Sequence, residues 1–331
     1  MNYEEFIQKT KTSMEQIVGE EYIVSLHKVM KNNDIELDAI VIKSRDNNIS
    51  PTIYLMPYYE EYMSGRDFGE IVSEIYQMYE KHKNTIEFDV DLFKSFDNIK
   101  KRIAYKLINS EENQRLLKDV PHVDFLNLSL VFYCLLDSDY FGSATALIHN
   151  VHLDMWKINE DTLFEVAQKN TPILLPHCIN NMRDVVKELL VTDIQNTLYE
   201  NDYRYDESCS IPSAERVAEN LMNGLEIGNN GVDMYVLTNV HKMNGAVCIL
   251  YENVLRDFSE EQGTDLFILP SSIHEVIIVP DNGELSGSDL RTMVRDVNRK
   301  ELEPGDVLSN EVYKYMRETD SIELVDVEKN Q

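Results

Sequence analysis

The stretch "DLFILPSSIHEVIIVP", residues 265–280, decides the fold of the carboxyl-terminal part of the chain. It places two short aliphatic runs, 265–269 and 275–280, on either side of the polar turn "PSSIH". Short apolar runs bounded by turn residues predict strands. Upstream, "MYVLTN" (234–239) predicts another strand, and residues 244–260 have apolar side chains at helical spacing. Strands and helices in this order predict a carboxyl-terminal α/β sandwich.

The predicted helix lies between two of these strands, with Asn244 as its expected N-cap and Gly263 as its end. A right-handed β-α-β crossover would make the two strands parallel. Their carboxyl ends would then lie at one edge of the sheet, where open α/β sheets bind ligands. The catalytic candidates at that edge are His274 and Glu275. The binding candidates there are Thr238, Asn239, Asn244, Ser271 and Ser272.

The same turn has a second interpretation, as a structural element in front of a buried strand. Ser271 and Ser272 would then hydrogen-bond the backbone of the turn, while His274 and Glu275 brace the hairpin. Turn chemistry explains these residue types without any ligand, so this interpretation is favoured.

The motifs of several common catalytic classes are absent from the sequence. A zincin needs H-E-x-x-H, but "HEVII" (274–278) has no second histidine. No G-x-S-x-G elbow, Walker A loop or G-x-G-x-x-G fingerprint occurs. We therefore predict no metal and no cofactor, and an enzyme is not the favoured function.

The remaining histidines and the cysteines give weaker signals. "HNVH" (149–152) is predicted to lie on a strand, where residues three apart point to opposite faces and the two imidazoles diverge. "LPHC" (175–178) sets a histidine beside a cysteine, and we interpret that cysteine as buried and inert. The four cysteines are widely scattered, which is typical of reduced thiols in a cytosolic protein.

The rest of the chain predicts mixed sheet-and-helix units, so the fold class is α+β. A helix, three β-prone runs and a second helix follow one another near the amino terminus, and another strand is predicted at 102–109. The predicted strand around "HNVH" covers 142–156. The predicted units, which can pack as one body, are an α-β-β-β-α unit (1–85), a middle β-then-α unit (86–199), an acidic connecting segment (200–231) with a short helix at 213–223, and the carboxyl-terminal α/β unit (232–331).

Composition limits the classes of partner. The chain has 331 residues and a formal net charge of −28, from 59 acidic and 31 basic residues. Such a balance argues against binding to a phosphate backbone or an anionic membrane. The amino terminus has no signal peptide, and the longest apolar run, 125–136, is too short to span a bilayer. We expect a cytoplasmic protein without direct nucleic-acid or membrane binding, whose acidic tail frays after Val325.

Several stretches together resemble a known family. They include "ISPTIYLMPYYEEYMSG", "VPHVDFLNLSLVFY", "NEDTLFEVAQKNTP", "GAVCILYENVL" and "LPSSIHEVIIVPD". The chain resembles an uncharacterised bacterial family, known only as a domain of unknown function and common in gut Firmicutes. It is more weakly similar to a shorter uncharacterised Firmicutes family. The resemblance implies a cytoplasmic bacterial protein with mixed units and favours a strand at 102–109, and it carries over no functional residue.

The leading hypothesis is a binding or interaction protein, chaperone-like in one version, whose partner is an unknown protein or small molecule. It is favoured because every catalytic signature tested fails. A first alternative is a small-molecule hydrolase or transferase, with His274 as acid/base and Glu275 or another nearby carboxylate orienting it. A second alternative is an acidic decoy that occupies a nucleic-acid-binding protein.

Overall fold

The structure is a computed structural model, and it describes residues 1–44, 50–83, 93–136, 145–200, 219, 233–270 and 272–325. The chain divides into two compact units. The first holds Met1–Asp124 and Ser129–Leu174, and the second holds Phe125–Leu128 and Leu175–Gln331. Helices and antiparallel sheets occur in both units, so the α+β class is confirmed.

The first unit begins with a three-stranded antiparallel sheet in the order β1-β2-β3. Its elements are α1 (Tyr3–Val18), β1 (Tyr22–Met30), β2 (Glu36–Ser44), β3 (Thr52–Tyr54), α2 (Met56–Met63) and α3 (Phe68–His82). Phe6 of α1, Ile40 of β2 and Ile75 of α3 belong to one buried cluster, which packs the helices on the sheet. The predicted α-β-β-β-α order is confirmed, with α2 as an added helix.

A second, four-stranded sheet follows, in which β6 pairs with β4, β5 and β7. Its elements are α4 (Phe96–Ile99), β4 (Ile103–Asn109), β5 (His122–Phe125), β6 (Leu128–Leu135), β7 (Thr145–Leu147), α5 (Asn150–Trp156) and α6 (Glu160–Leu174). The strand predicted at 102–109 is confirmed. The strand predicted at 142–156 is wrong beyond Leu147, because α5 takes the rest of that stretch.

The second unit is built on a six-stranded sheet in the order β13-β12-β10-β11-β9-β8. Every neighbouring pair in it is antiparallel. Its elements are β8 (His177–Asn181), α7 (Met182–Glu200), β9 (Tyr235–Asn239), α8 (Val254–Gln262), β10 (Leu266–Leu269), β11 (Val276–Pro280), α9 (Gly287–Glu301), β12 (Tyr313–Met316) and β13 (Ser321–Leu324).

Both faces of this sheet are covered by helices. Phe267 and Leu269 of β10 lie in one buried cluster with Leu290 of α9. On the opposite face, the ring of Tyr235 in β9 lies 4.9 Å from the ring of Phe258 in α8. Successive residues of a strand point to opposite faces, so burial on both sides explains the nearly continuous apolar runs of β10 and β11. The predicted carboxyl-terminal α/β sandwich is confirmed.

The connection from β9 to β10 differs from the predicted crossover. β11 lies between the two strands and is antiparallel to each of them. β9 and β10 therefore run in the same direction although they are not neighbours. Their carboxyl ends still reach the same edge of the sheet, as the sequence predicts.

The predicted helix at 244–260 is also replaced. Gly245–Leu250 form a 3-10 helix, and α8 begins only at Val254. Asn244 has a left-handed backbone with φ 51° and makes no capping bond with its side chain, so its predicted N-cap role is wrong. The backbone of Gly245 packs closely against β9, since a Cβ on this residue would lie 2.2 Å from Thr238 Oγ1. Gly263 ends α8 as predicted, with φ 74° and an N–H bond to the carbonyl of Ser259.

The short helix predicted at 213–223 lies, apart from Glu219, outside the described residues, and so does the tail after Val325. No helix in the described ranges combines the length and the apolar character needed to cross a membrane.

Candidate functional site

The turn between β10 and β11 is closed by the hydroxyl of Ser272. This hydroxyl donates to Glu275 Oε1 at 2.8 Å and accepts the N–H of His274 at 3.0 Å. Ser272 is 2% exposed, so these bonds replace solvent for a buried group. Ser271 lies outside the described residues. The carboxylate of Glu275 is thus engaged in holding the turn.

His274 joins this turn to the end of β9. Its Nδ1 accepts the backbone N–H of Asn244 at 3.2 Å, and its carbonyl accepts the hydroxyl of Thr238 at 2.7 Å. Because Nδ1 accepts, the neutral ring carries its proton on Nε2, which lies 3.7 Å from Asp306 Oδ1. The carboxylate that faces the imidazole is therefore that of Asp306, and Glu275 faces Ser272.

Asn239 closes the loop that follows β9. It is fully buried, and its amide donates to the carbonyl of Met243 at 2.7 Å and accepts the N–H of His241 at 3.0 Å. Six of the seven predicted site residues thus come together, and we call them the turn cluster: Thr238, Asn239, Asn244, Ser272, His274 and Glu275. Their described hydrogen bonds join the members to one another and to adjoining backbone. These bonds hold the turn and the loop after β9 in place, and the imidazole of His274 is half exposed.

A cleft of about 450 Å³ lies elsewhere in the second unit, between β8 and α8. We call it the β8 cleft. Its lining residues are His177, Cys178, Ile179, Asn181, Tyr235, Glu252, Val254, Asp257, Phe258, Glu261 and Gln262. Val254 and Phe258 are buried and form an apolar floor, whereas the carboxylates of Glu252, Asp257 and Glu261 are exposed. The volume lies in the range of small-molecule sites.

The strand register explains how β8 contributes to this cleft. Asn181 pairs with Tyr235, Ile179 with Leu237 and His177 with Asn239. Cross-strand partners point to the same face, so the side chains of His177, Ile179 and Asn181 share the face of Tyr235. That is the face on which the Phe258 ring packs against Tyr235.

The electrostatics of the β8 cleft are negative. Lysine and arginine are absent from its lining, and in the described part of the chain no ion pair engages Glu252, Asp257 or Glu261. Burial raises the pKa of the Tyr235 hydroxyl, and the charges of Asp233 and Glu261 raise it further. Asp257 and Glu261 are four residues apart on α8, a like-charge spacing that destabilises a helix.

The thiol of Cys178 is not activated. Burial raises the pKa of Cys178, and this outweighs the lowering by a hydrogen bond from Asn180 and by the charge of Lys242. A thiol with a raised pKa is protonated at neutral pH and is a poor nucleophile. The inert interpretation of the "LPHC" cysteine therefore agrees with its environment.

The two histidines of "HNVH" converge, contrary to the predicted divergence. Their ring centroids are 5.7 Å apart, because α5 begins at Asn150 and residues three apart share a helix face. The ring of His152 stacks at 5.5 Å on the indole of Trp156, and burial, followed by the charge of His149, lowers the pKa of His152. Within the described ranges, no three His, Cys, Asp or Glu side chains are grouped to hold a metal ion.

Comparison with known proteins places the chain in a family. A search of the curated proteins found no match, and a search of the solved structures found none either. The model of a family of unknown function, DUF5688, matches residues 3–317. Since this match covers nearly the whole chain, the protein belongs to the DUF5688 family.

Proposed function

We propose that the protein is a binding protein and that the β8 cleft is its ligand site. The single observation that carries this proposal is the cleft itself, with three exposed carboxylates around a floor of Val254 and Phe258. Carboxylates without an ion-pair partner in the described structure favour a cation, and an apolar floor favours a hydrophobic or aromatic body. The expected ligand class is therefore an organic cation with an apolar part.

The expected affinity for a small member of this class is low. Each exposed carboxylate contributes at most about 1 kcal/mol to a pair with a cation. A ligand of about ten heavy atoms at roughly 0.3–0.4 kcal/mol per atom gains about 3–4 kcal/mol. This corresponds to a dissociation constant of roughly 1–6 mM. A physiological ligand would need to be larger, so that it fills more of the cleft.

The hydrolase or transferase alternative is supported by one feature of the turn cluster, the half-exposed His274 facing Asp306. It is less well supported than binding. A general base needs a free nitrogen lone pair, and the lone pair on Nδ1 accepts the N–H of Asn244. A His274 acting as general base would first have to break that bond. Of the carboxylates that could orient it, Asp306 faces the ring at 3.7 Å, whereas Glu275 would have to leave Ser272.

The other expectations stay proposals. We infer a cytoplasmic protein, in support of which the described cysteines Cys134, Cys178 and Cys248 are free. Chaperone-like activity and the acidic-decoy alternative stay predictions. The decoy hypothesis and the cleft proposal both involve an acidic surface that meets a basic partner.

A pair of probe molecules tests the proposed function. Tyramine carries an ammonium group on an aromatic body, and tyrosol has a hydroxyl in place of that ammonium. In saturation-transfer NMR we expect signal transfer to the tyramine ring, with a dissociation constant of roughly 1–6 mM, and much weaker transfer to tyrosol. Glu261→Arg should abolish the tyramine signal.

The matched control is Glu260→Arg, because Glu260 is an exposed neighbour on the same helix that does not line the cleft. It makes the same change in charge and should leave tyramine binding unchanged. Equal transfer to both probes, or tyramine binding that survives Glu261→Arg, would contradict the proposal.

A further inference from the structure

The outer edge of β8 is unpaired among the described strands of the six-stranded sheet. β8 lies at one end of the strand order, and among the described strands it pairs only with β9. None of its five residues is buried. An exposed strand edge presents backbone N–H and C=O groups to any extended chain that approaches.

The hydrogen-bond pattern identifies the outward groups. Met182 N–H donates to the carbonyl of Met234, and Val240 N–H donates to the carbonyl of Pro176, each at 2.9 Å. These two bonds flank the facing pairs at the two ends of β8 and make them non-hydrogen-bonded pairs of the antiparallel ladder.

In such pairs the backbone groups point away from the partner strand. The N–H groups of His177, Ile179 and Asn181 therefore face outward, as do the carbonyls of His177 and Ile179. Over the described ranges, these outward groups take part in no hydrogen bond with another segment. The same three residues direct their side chains into the β8 cleft.

We propose that an extended segment of a partner protein adds to β8 as an antiparallel seventh strand, with lysine or arginine at alternate positions directed into the β8 cleft. The proposal rests on the proposed function and specifies its ligand. In strand addition, backbone hydrogen bonds provide the affinity and alternate side chains provide the specificity. Residues of the segment that face His177, Ile179 and Asn181 would both bond β8 and project over α8.

The spacing of the charges fits this arrangement. Residues along the full length of both β8 and α8 line the cleft, so the helix runs beside the strand. Alternate residues of a strand are about 6.8 Å apart, and residues four apart on a helix are about 6 Å apart along its axis. Two successive basic side chains can therefore each meet one carboxylate, those of Asp257 and Glu261.

Charge complementarity selects the occupant. A second copy of β8, "HCINN", offers no lysine or arginine to the carboxylates. The neighbouring segment 201–232 of the same chain has only Arg204 and Arg216 against a larger number of acidic residues. A basic segment of another protein is the occupant that the rim of the cleft attracts, and the net charge of −28 favours its approach.

Three synthetic nine-residue peptides test strand addition on the wild-type protein. All alternate lysine with threonine. The first is unmodified, the second carries N-methyl groups on its lysine amides, and the third carries them on its threonine amides. Lysines that project into the cleft have their amides directed at β8, so the second peptide loses the bonds and the third keeps them. Fluorescence polarisation measures the three affinities.

We expect the second peptide to bind about tenfold more weakly than the third, the effect of losing one or two net hydrogen bonds. Ile179→Pro removes one outward N–H without touching a bond to β9, and it should weaken the unmodified peptide about tenfold, with circular dichroism as the check on folding. Glu261→Arg should weaken it by a similar factor and Glu260→Arg by less than about twofold.

The outcomes separate the two proposals. Equal binding of the second and third peptides overturns strand addition. The proposed cleft site still stands in that case if the wild-type protein binds tyramine and Glu261→Arg abolishes tyramine binding. Binding of neither peptide nor tyramine overturns both. Peptide binding that is tenfold sensitive to lysine N-methylation and to Ile179→Pro supports both.

Discussion

The turn cluster and the β8 cleft belong to the same sheet, and they use their polar groups in opposite ways. In the turn cluster, Ser272 and Asn239 are buried and bonded to their neighbours. In the β8 cleft, Asp257 and Glu261 are exposed and without a cation in the described structure. Polar groups of the first kind stabilise a fold, and polar groups of the second kind are available to a ligand.

This difference makes the β8 cleft a better candidate for a ligand site than the turn cluster. The turn cluster is rich in the residue types that sequence reasoning associates with catalysis, yet its hydrogen bonds are already made within the protein. The β8 cleft has ordinary surface carboxylates, but they surround a concave, partly apolar space. A variant of the turn cluster should therefore cost stability, whereas a variant of the cleft should cost binding and leave stability nearly unchanged.

The largest effect on stability is expected for Gly245→Ala. A Cβ there would lie 2.2 Å from Thr238 Oγ1 and 2.5 Å from the carbonyl oxygen of His274, so the 3-10 segment would have to move away from the sheet. We expect a loss of about 3 kcal/mol or more in the free energy of unfolding, measured by urea denaturation.

Gly283→Ala is the matched control for that variant. Gly283 has φ 81° and no atom within 4 Å of an added Cβ, so alanine would meet only the left-handed backbone strain of about 1 kcal/mol. Equal losses for the two variants would show that the contact at Gly245 does not lock the turn cluster.

A smaller loss is expected for Ser272→Ala. The substitution removes the hydroxyl that serves Glu275 and the N–H of His274, and it leaves that partly buried N–H without its partner. We expect a destabilisation of about 1–3 kcal/mol, while tyramine binding stays unchanged. Ser288→Ala, at an exposed position of α9, should change stability by less than about 0.5 kcal/mol. A stable Ser272→Ala protein with lost ligand binding would reverse the ranking of the two places.

The regular patterns of the fold could be predicted from the sequence. Alternating or continuous apolar runs gave the strands of the first sheet and the hairpin of β10 and β11, because burial of a face imposes a period on the sequence. Local chemistry also located the end of α8 at Gly263. The helix α5 was missed because "HNVHLDMW" is short and its N-cap is His149, which is not among the preferred N-cap residues, so its apolar spacing also fits a strand.

The non-local contacts could not be predicted. Insertion of β11 between β9 and β10 depends on pairing across the chain, which no local pattern records. The break of the predicted helix at 244–260 depends on the close approach of Gly245 to Thr238. The gathering of the turn cluster was foreseen because β9 and β10 still run in the same direction.

The β8 cleft left almost no signal in the sequence. Asp257 and Glu261 are typical of a solvated helix face, and β8 is a five-residue strand between two helices. Only the strand register brings His177 and Tyr235 beside α8. The one available hint was the absence of a basic partner four residues from either acid on α8, which is too common to identify a site.

In the cleft, Glu261→Gln should raise the free energy of unfolding, whereas variants of the turn cluster should lower it. Removing one of two like charges four residues apart should raise the free energy of unfolding by about 0.2–0.5 kcal/mol at low salt, and added salt should erase the gain. Urea denaturation at two ionic strengths measures this. The result contradicting our view would be a clear loss of stability, which would mean that Glu261 holds the fold.

The finest distinction concerns the proton on Tyr235. Burial and the charges of Asp233 and Glu261 hold its pKa above the usual value of 10.0. A raised pKa in the folded state contributes stability that is present below pH 10 and is lost as the pH rises through the folded pKa. In Glu261→Gln the pKa of Tyr235 should fall, because one of the charges that raise it is gone. NMR titration of ¹³C-labelled tyrosine, with the signal assigned by Tyr235→Phe, measures the shift, and Glu260→Gln serves as the control. An equal fall in both variants would mean that Tyr235 senses the general charge of α8 and not a field focused in the cleft, and the cleft would then lose its electrostatic distinction from the rest of the acidic surface.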